Sequence, residues 1–275
     1  MTTLSNKIDF AVIFQVRNAN PNGDPLNGNR PRTDYSNRGE VTDVALKRKI
    51  RDRLAEAGQA IFVQSDDRKT DEFKSLVQRA KAGLGKDYES ERTADAACKK
   101  WFDVRAFGQL FAFKKSGNDS EGVSVGIRGP VTVQSAFSVE PVDITSTQIT
   151  KSVSGEGDGS KRGSDTMGMK HRVDNGVYLF FGSMNPQLAE RTGFSDADAQ
   201  AIKQVLPKLF ENDESSARPA GSMQVLKVVW WQHNSKAGQY SSVRVHGTLR
   251  DKVMPDGRYR LDSLDGLLPE EIEGY

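Results

Sequence analysis

The densest run of reactive charge in this 275-residue chain is ALKRKIRDRL, in which Lys47, Arg48, Lys49, Arg51 and Arg53 place five bases within seven positions. A row of cations beside an apolar stripe can hold consecutive phosphates while its helix stays anchored in a core. An ordinary solvated helix face accounts for the charge count equally well. Arg30, Arg32 and Arg38 in the preceding loop favour the phosphate reading. That loop leads to the helix N-terminus, where backbone N–H groups attract anions.

A second candidate follows the glycine-rich tract SVSGEGDGSKRGS. The segment DTMGMKHRV carries Met167, Met169, Lys170, His171 and Arg172, so the whole reads as a projecting hairpin. Flexible methionines beside cations can wedge between bases and hold the adjacent backbone; a plain surface loop is the competing account. Other chemistries find less material. Asn18, Asn20, Asn22 and Gly23 imitate the start of a calcium loop, but its twelfth position is Asn29 in place of a bidentate Glu. They read as turn formers. Asp34 could assist metal-dependent RNA cleavage, yet no second acid or histidine accompanies it. His171, His233 and His246 are scattered, and no nucleophile motif or Walker loop occurs. No catalytic residue, metal or cofactor is expected. The aromatics of NGVYLFF, at 175–181, are only a faint echo of an RNA-recognition sheet motif and are assigned to the core.

Several elements must position these residues. The β-branched and aromatic run 8–17 predicts a buried strand, and the polar stretch 18–34 a loop. Thr42 caps a helix to about Ala57, stopped by Gly58, with Leu46, Ile50, Leu54 and Ala57 on one apolar face. On that wheel Lys47, Arg48 and Arg51 share an arc away from the apolar face, and Lys49 and Arg53 lie on the other flank. Residues 61–121 read as a polar helical insertion without a core of its own. One or two strands are expected in 123–149, and further strands at 177–181, 225–231 and 243–249. Ser195 with Asp198 opens a helix in the manner of a capping box, which Pro207 kinks or ends. The order favours an α+β sandwich over a doubly wound parallel sheet.

Composition narrows the setting. The net charge is only +2 with 36% hydrophobic residues, but its distribution is uneven. Residues 17–53 hold nine Lys/Arg against five Asp/Glu, while 261–275 hold five acids and no base. The acidic end could meet a neighbour's basic surface or be a solvated tail. Cys98 is the only cysteine, which suits a reducing compartment. No stretch reads as a signal peptide or a bilayer span, so a cytoplasmic location without membrane contact is expected.

Taken together, the first strand, NPNGDPLNGNRPRTD and VTDVALKRKIRD resemble the N-terminal signature of the CRISPR-associated Cas-seven family, in its type I-C form. FDVRAFG, RGPVTVQSAFSVEPV and the Met-Gly-Met arm leading to GVYLFFGSMNP extend the resemblance over most of the chain. The resemblance implies a single RRM-like (ferredoxin-like) palm over 1–275 with an antiparallel sheet. It also implies a finger-like insertion at about 61–121 and a thumb hairpin at about 150–173. It implies a non-enzymatic backbone subunit of Cascade that binds guide crRNA and presents it to a target DNA strand. Copies would stack head to tail beside large, small and guide-processing end subunits. Lys47 corresponds to the phosphate-contacting helix, with Arg48, Lys49 and Arg51 beside it; Met167 and Met169 correspond to the base-displacing thumb. Type III relatives carry a catalytic Asp near the position of Asp34, an activity that type I backbones are not expected to share. A metal-dependent ribonuclease and a self-assembling scaffold are the alternatives.

Overall fold

The computed structural model describes residues 2–113, 123–150 and 167–275. Strand β1 (Ile8–Ala19) is followed by the short β2 (Gly23–Asp24), β3 (Arg30–Pro31) and β4 (Arg38–Val41), then by helix α1 (Asp43–Glu56). Helices α2 (Leu76–Leu84), α3 (Thr93–Lys100) and α4 (Phe102–Phe107) lead to a hairpin of β5 (Gly108–Phe113) and β6 (Val123–Arg128). Next come β7 (Val131–Val133), β8 (Ala136–Pro141), β9 (Ile144–Thr150) and the long β10 (Met167–Met184). Helices α5 (Pro186–Thr192) and α6 (Asp196–Val205), strand β11 (Met223–Gln232), α7 (Ser242–Gly247) and β12 (Glu270–Glu273) complete the described chain.

One eight-stranded antiparallel sheet organises these elements, in the order β12-β11-β1-β10-β8-β4, with β7 and β9 also paired to β10. Strand β1 is apolar without a break from Phe10 to Phe14 because both of its faces are covered. Phe10, Val12 and Phe14 enter a core shared with Leu46, Ile50 and Leu54 of α1 and Ala199, Ile202 and Val205 of α6. Ala11 and Ile13 enter a second core with Val229, Trp231, Val245 and Leu249. The alternation changes at Asn18, whose φ of 51° lies in the left-handed region that Asn tolerates. Val16 and Ala19 therefore both reach the first core.

The helix signals hold in detail. Thr42 Oγ1 accepts from the Ala45 amide, and the Ser195–Asp198 capping box is complete in both directions. Helix α6 ends at Val205, two residues before Pro207. Ala57 lies past the end of α1 and is exposed, outside the predicted apolar face.

Four expectations change. Residues 243–249 form no strand: Ser241 Oγ caps α7 at the Arg244 amide. Val245 and Leu249 are buried four apart while Val243 is 83% exposed, which is helical spacing. The insertion does have a core, made of Phe62, Ala80, Leu84, Ala97, Trp101 and Phe111 with their neighbours. Each short element supplies only one or two of these, so no single window shows a period. Stretch 123–149 holds four strands, not one or two. The acidic end meets its own chain, because Glu270 pairs with Lys203 and Glu273 with Lys227 as β12 closes the sheet edge.

Two of the dispersed histidines also converge. Asp9, fully buried on β1, has His233 Nε2 at 2.9 Å, Lys7 Nζ at 3.2 Å and His246 Nε2 at 3.4 Å. The Gln239 amide donates to His233 Nδ1, which leaves Nε2–H to donate to Asp9. Burial alone would raise the Asp9 carboxyl, but His233, His246 and Lys7 outweigh it and hold it well below the usual aspartate value. A depressed folded value contributes stability that is present above the unfolded value of about 3.9 and lost as pH falls below it. Urea midpoints should therefore separate the wild type from Asp9→Asn most widely near neutral pH. The gap should narrow below about pH 4; a gap constant down to acid would mean that Asp9 contributes nothing as an ion.

Candidate nucleic-acid interface

The basic row of α1 is largely engaged within the molecule. Lys47 Nζ lies 3.0 Å from Asp43. Arg48 reaches Asp52 at 2.8 Å and Asp213 at 3.1 Å. Arg51 Nε donates to Asp103 at 3.0 Å, its guanidinium 5.1 Å from the Phe107 ring centre. Arg53 pairs with Glu56 and is buried. Lys49 is buried too, paired with Asp213 and set over the Phe210 ring. Burial pulls its ammonium down to about 8 against the attraction of Asp213.

Lys49 therefore anchors the helix, and an RNA phosphate could reach it only by displacing Asp213 from a closed site. Lys47 and Arg48 keep partly exposed side chains, and Arg51 is mostly covered. The i,i+4 acids Asp43 and Asp52 were visible as a signal against a free cation row. Asp103 and Asp213, far away in sequence, were not. Arg51→Ala should lower stability by about 1.5–3 kcal/mol, since it strips a cation from the buried Asp103 that also accepts from the Phe62 and Val63 amides. Lys47→Ala should cost under about 1 kcal/mol. Equal melting temperatures for the two variants would contradict this division.

The asparagines of the loop are structural. Asn22 Oδ1 accepts from both the amide and the hydroxyl of Thr42, fastening the loop to the start of α1. Asn20 Nδ2 donates to the Asn29 carbonyl, and Arg32 pairs with Asp24 at 3.3 Å. Asp34 closes a turn, accepting from the amides of Ser36 and Arg38 and from Arg38 Nε at 2.8–2.9 Å. Slight burial works against its charge, but the Arg38 and Ser36 donors prevail and hold the carboxyl below its ordinary value. Among the described residues, no group of three or more His, Cys, Asp or Glu is placed to hold a metal ion.

The second candidate is a hairpin in its described part. β9 and the start of β10 pair antiparallel from Met167 opposite Thr150 to Val173 opposite Ile144. The tract at 152–164 lies outside the described residues. Strand alternation sorts the side chains. Met167, Met169 and His171 share a face with Val173, which enters the α1 core, so they project on the helix side. Lys170 and Arg172 take the opposite face, so the strand separates Lys170 from the two methionines. Met167 and Met169 are 67% and 54% exposed.

The tertiary structure also joins the two candidates. Arg30 Nη1 donates to Ser146 Oγ at 2.9 Å, and Ser146 Oγ lies 2.8 Å from His171 Nδ1. The cationic loop thus meets the methionine-bearing face, although 116 residues separate Arg30 from Ser146. Sequence reading assigned no role to Ser146, since only strand register places it opposite His171.

A large antiparallel sheet, helices α1 and α6 over one face and α7 over the other, and a hairpin with exposed methionines and cations define a mixed α/β protein with a surface suited to a phosphate-rich strand. The chain belongs to the family of CRISPR-associated protein Cas7, whose model matches residues 6–260. A CRISPR-associated protein Cas7 from Haloferax volcanii is 28% identical over 235 residues, covering 80% of this chain and 68% of the relative. Among solved structures, a chain of a CRISPR RNA-guided surveillance complex in its pre-nicking state superposes with a TM-score of 0.51. It shares 15% identity and covers 82% of this chain and 78% of that one, a likeness of fold.

Proposed function

We propose that this chain is a repeated backbone subunit of a CRISPR RNA-guided surveillance complex of the Cascade kind, binding guide crRNA and presenting it to target DNA. The observation that carries this reading is membership of the Cas7 family across residues 6–260. The order β11-β1-β10-β8, with α1 and α6 against one face, supports an RRM-like palm. On that palm the segment around 61–121 serves as the finger and the segment around 150–173 as the thumb. The loop signature NPNGDPLNGNRPRTD supports the type I-C form, and a cytoplasmic, non-cleaving role goes with it. Affinity comes from backbone contacts, while base pairing supplies specificity.

The test is direct. Purified full-length chain mixed with single-stranded RNA should form particles whose length follows the RNA, with the RNA uncut in magnesium or manganese. Asp34→Ala should behave identically, because Asp34 serves a turn. Cleavage by the wild type that Asp34→Ala abolishes would replace this reading with a ribonuclease. Filaments of equal length without RNA would replace it with a scaffold.

A further inference from the structure

We infer that His171 is a further guide-RNA contact, an imidazole whose Nε2–H is aimed at a phosphate oxygen by Ser146 and Arg30. The inference rests on the RNA-binding function proposed above and names a residue and a positioning pair within that site.

Proton bookkeeping along the chain of contacts carries it. A guanidinium only donates, so Arg30 occupies a lone pair of Ser146 Oγ. Ser146 Oγ keeps its hydrogen and a second lone pair, and we assign the hydrogen to His171 Nδ1, 2.8 Å away. An imidazole that accepts at Nδ1 carries its proton on Nε2 when neutral. Among the described residues, no group bonds Nε2, and the ring is only partly buried. With that assignment the ring presents its Nε2–H on a partly exposed face. Strand register sets this donor on the face that carries Met167 and Met169. Single-strand binding needs those two features side by side: apolar groups that meet bases, and donors that hold the adjoining backbone. Lys170 and Arg172 cannot supply the donor on this face, because alternation turns them away. Arg30 reaches it, and its bond to Ser146 orders both side chains before RNA arrives, which lowers the entropy lost on binding.

A donor that adds no charge has a signature. A lost cation flattens the dependence of log K on log salt by about 0.7 per phosphate for single strands, whereas a lost neutral donor leaves the slope unchanged. The measurement is fluorescence anisotropy of full-length protein with a labelled single-stranded RNA, titrated with salt near pH 8. His171→Ala should weaken binding about tenfold with an unaltered slope. Arg30→Ala should weaken binding and flatten the slope. Ser146→Ala should reproduce part of the His171→Ala loss in the wild-type background and add nothing to His171→Ala, while Ser146→Thr should restore binding. His171→Ala that binds as the wild type does, or Ser146→Ala and His171→Ala losses that simply add, would overturn the inference while RNA binding stands. A wild type without RNA affinity would overturn the reading beneath it.

Discussion

Asp213→Ala should lower stability by about 3–5 kcal/mol, the usual cost of leaving buried charge without its partner. Asp213 is 7% exposed; its Oδ1 accepts from Arg48 Nη2 at 3.1 Å, and its Oδ2 from Arg218 Nε at 2.9 Å and from Lys49. Burial would raise its carboxyl, but those three cations hold it below the ordinary value. Removing the carboxylate leaves the Lys49 ammonium enclosed and unpaired where α1 packs against the segment before β11. Lys49→Met is the informative comparison. It removes the buried cation, keeps a similar volume over Phe210, and leaves Asp213 held by two arginines. It should cost under about 2 kcal/mol, since an apolar replacement of similar volume offsets much of a lost buried pair. Chemical denaturation of both variants decides the matter. A Lys49→Met loss as large as that of Asp213→Ala would show that the lysine, and not the carboxylate, is the centre of the cluster.

The second large effect belongs to binding. Met167→Ala together with Met169→Ala should weaken single-stranded RNA binding by about 2 kcal/mol, some 30-fold in Kd, taking about 1 kcal/mol for each thioether lost from a base. Thermal stability should move by less than about 0.5 kcal/mol, because both side chains are mostly exposed and enter no core. This combination separates a recognition surface from a structural one. Unchanged affinity would leave the methionines as ordinary exposed residues of the hairpin. Lowered affinity with an equally lowered melting temperature would place them in folding.

Local chemistry made a large part of this protein legible in its sequence. The first strand, the Thr42 cap, the Ser195–Asp198 box and the stop at Pro207 depend on neighbours within a few residues, and they appear as expected. The loop motifs were specific enough to resemble a known family, and the aromatics of NGVYLFF, Tyr178, Phe180 and Phe181, all lie in the cores.

What only tertiary structure decided was where each charge goes. A helical wheel places Lys47, Arg48, Lys49 and Arg51 by angle, but Asp103 and Asp213 arrive from other elements and pair with three of the four. Val243 and Val245 favour a strand by type, yet burial of Val245 and Leu249 against the sheet's second face imposes a helix. The insertion's core is assembled from residues contributed one or two at a time. The approach of Arg30 to Ser146 and His171 exists only because β3 packs beside a hairpin whose register the sheet sets. Periodicity and capping are properties of a short segment, whereas the pairing of a charge depends on which distant carboxylate or hydroxyl the fold delivers to it.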